Sequence, residues 1–91
     1  MVYAWVEPGK EGPVLPSKPR ALTTDEVKRV IQDFVSSARR AMDAGFDGVE
    51  YHCASGYLPM QFLSTNVNQR TDQYGGSVSN RIRFVVESLE A

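Results

Sequence analysis

Apolar residues recur at three- and four-residue spacing from Val27 to Met42. Val27, Val30, Ile31, Phe34, Val35, Ala38, Ala41 and Met42 fall on one helical face, while Lys28, Arg29, Asp33, Arg39 and Arg40 lie mostly elsewhere. The pattern predicts an amphipathic helix. Thr23 marks its start: the hydroxyl can accept from the N3 amide while Glu26 reaches back to the cap, and Asp25 and Glu26 suit the positive end of the helix. Gly45 suits the left-handed position just past the other end. The short apolar run Phe46 to His52 then reads as a buried strand, so that helix, tight turn and strand make one α/β unit.

Beyond that run, Pro59 can occupy the first turn of a short helix reaching to about Leu63, because the amide it lacks has no intrahelical partner there. Ser64 to Gly76 reads as a polar loop. Ser77 is the next N-cap, followed by Ile82, Val85, Val86 and Leu89 as the apolar stripe of a helix that continues to the end of the chain. Ahead of Thr23, residues 1–22 hold Pro8, Pro13, Pro16 and Pro19 with Gly9 and Gly12 between them, which breaks any helix or central strand. The chain therefore divides into an irregular lead-in, 1–22, and one structured segment, 23–91, without internal repeats.

At 91 residues, a single core of this size only narrowly offsets chain entropy. A formal net charge of −1 with both signs mixed gives no electrostatic reason to expect nucleic acid or a membrane surface as partner. Cys53 is the single cysteine, which excludes an internal disulfide, and no ligand cluster accompanies it, which excludes zinc. An intracellular, reducing, cytoplasmic setting is expected. The N-terminus lacks the basic and apolar regions of a targeting signal, and no stretch of about 18 apolar residues occurs, so the expectation is a soluble, untargeted chain.

The candidate chemistry lies where the predicted strand stops at His52 and opens into a loop carrying Tyr57. Glu50 shares the His52 face by strand alternation and is expected to pair with a cation, while Cys53 points to the other face as a small packing residue. Gly75, Gly76 and Ser77 could cradle phosphate, but a turn plus an N-cap accounts for them equally. Arg70, Asp72, Tyr74, Asn80 and Arg81 read as a charge and hydrogen-bond lattice that fixes the long loop.

The blocks GFDGVEYHCASGYLPMQFL and NQRTDQYGGSVSNRIRF, with PRALTT before the first helix, resemble the Old Yellow Enzyme family of flavin-dependent ene-reductases over about residues 19–91. Several spaced blocks in the right order are a specific signal. The resemblance implies a TIM (β/α)8 barrel with FMN at the C-terminal ends of its strands, and 91 residues supply about one third of the roughly 250 such a barrel needs. It implies that His52, together with an asparagine, donates hydrogen bonds to the oxygen of an electrophilic small-molecule alkene, an enone or nitro compound. Reduced FMN, itself reduced by NAD(P)H, would deliver hydride, and Tyr57 would protonate the α-carbon. Ser55 falls where the asparagine belongs; its hydroxyl is shorter and offers one donor in place of two, so it is a weakened substitute. No residue here matches one that grips FMN. Two readings follow: a partial domain of an FMN-dependent oxidoreductase, or a non-catalytic truncated remnant that cannot bind FMN alone and instead self-associates or pairs with other barrel segments.

Overall fold

The computed structural model describes residues 17–91, which form helices α1 (Thr24–Asp43), α2 (Leu58–Leu63) and α3 (Val78–Glu90). Residues 1–16 of the expected 1–22 lead-in lie outside the described residues.

Each helix starts and stops where local chemistry dictates. Thr23 caps α1 through the reciprocal arrangement expected: its hydroxyl accepts from the Glu26 amide at 3.2 Å and the Glu26 carboxylate accepts from the Thr23 amide at 3.3 Å. The far end of α1 closes with Gly45 at φ 98°, and the amides of Gly45 and Phe46 donate back to Met42 and Ala41. This double back-bonding is the Schellman stop, which satisfies two otherwise orphaned carbonyls. Pro59 sits in the first turn of α2, and the Ser77 hydroxyl accepts from the Asn80 amide to open α3.

α3 packs against both α1 and α2. The core is Val27 and Ile31 from α1, Phe62 from α2, Phe84 from α3 and Tyr74 from the intervening loop, with Leu22, Val30, Phe34, Tyr51, Leu58 and Val85 packed around it. Aromatic rings run through it in sequence: Tyr51 meets Phe34 edge to face, Phe34 meets Phe84 likewise, Phe84 stacks on Phe62, and Phe62 meets Tyr74 edge-on. Such pairs add about 0.5–1.5 kcal/mol each beyond the area they bury.

The expected strand is not formed. Among the described residues there are helices only, and Phe46 to Glu50 are exposed, Phe46 at 66% and Val49 at 58%. The reason is physical: a strand is held by ladder hydrogen bonds to a neighbouring strand, and no other described segment offers an edge. Of the expected α/β unit, the helix and turn are present, and the run beyond them is an unpaired apolar segment. Glu50 is likewise exposed, and no ion pair joins it to another described residue. Among the described residues no helix is long and apolar enough to cross a membrane, and there is no cluster of His, Cys, Asp and Glu suited to a metal ion.

Candidate active site

The segment after Tyr51 turns sharply. The Tyr57 amide donates to the Ala54 carbonyl at 3.2 Å, with Ser55 at φ 56° and Gly56 at φ 78° between them. Two consecutive positive φ values inside a closed four-residue turn are the type I′ geometry. Glycine adopts it freely, whereas serine pays for its Cβ, at about 1–2 kcal/mol for a typical L-residue. Ser55 is the one non-glycine residue with positive φ among the described residues.

The turn folds Tyr57 back over His52. Their ring centroids lie 4.9 Å apart with planes inclined at 52°. Both rings line a groove of about 480 Å³ whose walls include Phe34 and Ala38 of α1 with Val49, Leu58 and Pro59, and to which Glu50 adds one carboxylate. The His52 ring is exposed and Tyr57 is 61% exposed, so an imidazole N–H and a phenolic O–H stand together at an open, largely apolar groove. That is a pair of donors able to meet one small polar ligand. Ser55 lines a different groove, of about 510 Å³, with Met60, Gln61, Ser64 and Asn66. The structure thus brings His52 and Tyr57 together and sets Ser55 on the other side of the turn. The Tyr51 hydroxyl is buried, and this burial raises its pKa above the usual phenol value.

The long loop is held as a lattice. Arg70 donates through Nε and Nη2 to the two oxygens of Asp72 at 3.0 and 2.6 Å, and through Nη1 to the Leu22 carbonyl at 2.6 Å. Asp72 also accepts from the Thr24 hydroxyl at 2.6 Å and from the Tyr74 amide at 3.1 Å. The Arg70 guanidinium, aided by these donors, holds the Asp72 carboxyl well below the usual carboxylate range. Tyr74 donates its hydroxyl to Glu87 at 2.8 Å, and its pKa is raised first by burial and then by that carboxylate. Arg81 is committed to the Leu63 and Gly76 carbonyls, and Asn80 to the Gly75 carbonyl.

Asn68 is the residue that sequence reasoning passed over. Buried within a loop that reads as uniformly polar, its amide nitrogen donates to the Phe62 carbonyl at 2.7 Å and the Tyr74 carbonyl at 2.8 Å, while its oxygen accepts from the Arg70 amide at 3.0 Å. It joins the end of α2 to the loop. Its only sequence signal is its place at the head of the NQRTDQYGG block. Gly75 is buried against the same hub, where a Cβ would meet Arg70 and the Asn68 oxygen. The Gly75, Gly76 and Ser77 stretch therefore serves packing and capping.

Comparison with known proteins places the chain in a family. Residues 9–91 match the model of the NADH:flavin oxidoreductase / NADH oxidase family. The chain is 57% identical over 75 residues to 12-oxophytodienoate reductase 1 of Oryza sativa subsp. japonica, which takes in 82% of this chain and 20% of that protein. It is 53% identical over 73 residues to the flavin oxidoreductase hxnT of Emericella nidulans, covering 80% of this chain and 19% of the relative. In three dimensions it resembles morphinone reductase in complex with tetrahydroNAD, at 50% identity and a TM-score of 0.84, over 93% of this chain and 23% of the other. The chain thus spans about one fifth of the length of the curated relatives it matches. It belongs to the NADH:flavin oxidoreductase / NADH oxidase family, the Old Yellow Enzyme family, of whose domain it represents a part.

Proposed function

We propose that this chain is the histidine–tyrosine segment of an FMN-dependent NAD(P)H:flavin oxidoreductase that reduces activated alkenes such as enones and nitro compounds, and that residues 23–91 form one segment of its TIM barrel. Family membership supports the reaction class. The single observation that carries the site is the approach of the His52 and Tyr57 rings to 4.9 Å across a groove they both line.

The chemistry of this donor set suits the substrate side of a flavin, because an N–H and an O–H donor face a largely apolar groove. No described residue is assigned to the flavin phosphate: the Gly75 amide already donates to the Asp72 carbonyl, and Arg70 and Arg81 are committed to loop partners. When bound, reduced FMN supplies a hydride to the β-carbon of the alkene. His52 would donate to the carbonyl or nitro oxygen and stabilise the negative charge that develops there, a contribution of about 10²–10³ in rate for one such donor. Tyr57 would give its phenolic proton to the α-carbon, completing addition of two hydrogens across the double bond. Ser55 would add a shorter, single donor from across the turn, leaving most of the charge stabilisation to His52. A cytoplasmic setting fits the lone Cys53.

The apolar stripe Val78, Ile82, Val86 and Leu89, exposed along α3, supports pairing with further barrel segments, without which the chain would be non-catalytic. Titrating FMN with the 91-residue chain and following flavin fluorescence decides this point. Saturable quenching means the segment builds a cofactor site itself; none means that the chemistry belongs to a longer assembly. In the flavin-loaded protein that contains this segment, Tyr57→Phe should slow alkene reduction by about 10²–10⁴-fold while flavin reduction by NAD(P)H persists. Unchanged alkene reduction would remove Tyr57 from the mechanism.

A further inference from the structure

The turn carrying Ser55 and Tyr57 is in a conformation that serine resists, so something must hold it. Both polar groups of Gly56 are tied to side chains from the middle of α2. The Gly56 amide donates to the Met60 sulfur at 3.2 Å, and the Gln61 carboxamide donates to the Gly56 carbonyl at 2.9 Å. The Gln61 backbone amide also donates to the Tyr57 carbonyl at 3.1 Å. One residue thus grips two successive carbonyls, on either side of the Tyr57 Cα. Gln61 lines the grooves on the far side of the turn and not the one shared by His52 and Tyr57, so its influence on them passes through the backbone.

We infer that Gln61 is a positioning residue whose carboxamide locks the 54–57 turn in its left-handed form and so presents Tyr57 to His52. The inference rests on reading these two rings as the reacting pair, but its geometric content is independent of turnover. Without the carboxamide donor, the Gly56 carbonyl loses its partner, and the peptide between Gly56 and Tyr57 is restrained through its amide end alone, by the 3.2 Å bond from the Tyr57 amide to the Ala54 carbonyl. Ser55 then relaxes toward negative φ and Tyr57 swings away from His52. Gln61→Leu removes the donor while keeping helix propensity and bulk, and Gln61→Glu places an ionised acceptor against the carbonyl at neutral pH.

The test is proton NMR of the full 91-residue chain at neutral pH, in which His52 is the single histidine. Cross-peaks between the His52 and Tyr57 rings report the pair, and cross-peaks between the Phe62 and Phe84 rings, stacked at 4.2 Å, report the core. Loss of the first set with retention of the second in both variants is the expected result. Retention of His52–Tyr57 cross-peaks in either variant overturns the inference, and so does loss of both sets in both variants, since Gln61 would then be a folding residue. A mechanism in which Tyr57 is not the proton donor would leave these cross-peaks untouched and would show only in the alkene reduction of Tyr57→Phe.

Discussion

The rings of Phe62 and Phe84 lie nearly parallel, 4.2 Å between centroids and 7° between planes. Phe62 belongs to α2, five residues after Tyr57, and Phe84 to α3, which carries none of the candidate catalytic residues. This stack is how a helix remote from the chemistry fixes the short helix behind the His52–Tyr57 groove. A six-residue helix has no stability of its own and is ordered by what it packs on.

Phe84 is fully buried and touches Phe34 as well as Phe62, so its truncation empties the centre of the core. Phe84→Ala is expected to cost about 3–5 kcal/mol, comparable with the whole stability of a small domain. Circular dichroism in a urea titration should show the folded baseline lost or the midpoint moved sharply down; a midpoint within error of the parent would contradict the packing described.

The Asp72 carboxyl is held low by Arg70, so its contribution has a definite sign with pH. A depressed folded-state value means the stabilisation is fully present above the unfolded carboxyl value of about 3.9 and drains away as pH falls below it. Thermal midpoints should therefore decline from about pH 5 downward, and Asp72→Asn should flatten that decline while costing about 1–3 kcal/mol at neutral pH. Parallel pH profiles for parent and variant would show that other carboxylates govern acid unfolding.

Gly75 illustrates a glycine kept for space. An added Cβ would come within 2.6 Å of the Arg70 Cβ and 2.8 Å of the Asn68 oxygen, and closer still to the Arg70 carbonyl. Backbone cannot yield cheaply at such distances, so Gly75→Ala should destabilise by about 1–3 kcal/mol. Gly48, whose Cβ would meet nothing within 4 Å, is the control: Gly48→Ala should leave the urea midpoint nearly unchanged.

Ser55 occupies a left-handed position that asparagine tolerates far better. Ser55→Asn should raise stability by roughly 0.5–1 kcal/mol through relief of that conformation. It should also strengthen charge stabilisation in the flavin-loaded protein that contains the segment, seen as a larger kcat for enones. A stability gain without a kinetic gain would confine residue 55 to the turn.

Much of this was legible in the one-dimensional pattern. The capping box at Thr23, the stop at Gly45, the proline in the first turn of α2 and the cap at Ser77 are local devices, readable because donor and acceptor lie within a few residues of each other. The resemblance of two sequence blocks pointed to the family that the comparisons establish. The Phe46 to His52 strand misled, because a short apolar run states a preference and only a neighbouring edge makes a ladder.

What the sequence determined by itself, then, was the helices, their ends, and the presence of a histidine and a tyrosine five residues apart. Tertiary structure decided the rest: that the Ala54–Tyr57 turn brings the two rings together at a tilt and puts Ser55 in the next groove, that Asn68 is a buried hub, and that Asp72 bridges the loop to the start of α1. These depend on positive φ values, on burial, and on partners as far as 48 residues apart. A residue's type tells which bonds it can make, but the partner it meets is settled only when the chain closes on itself.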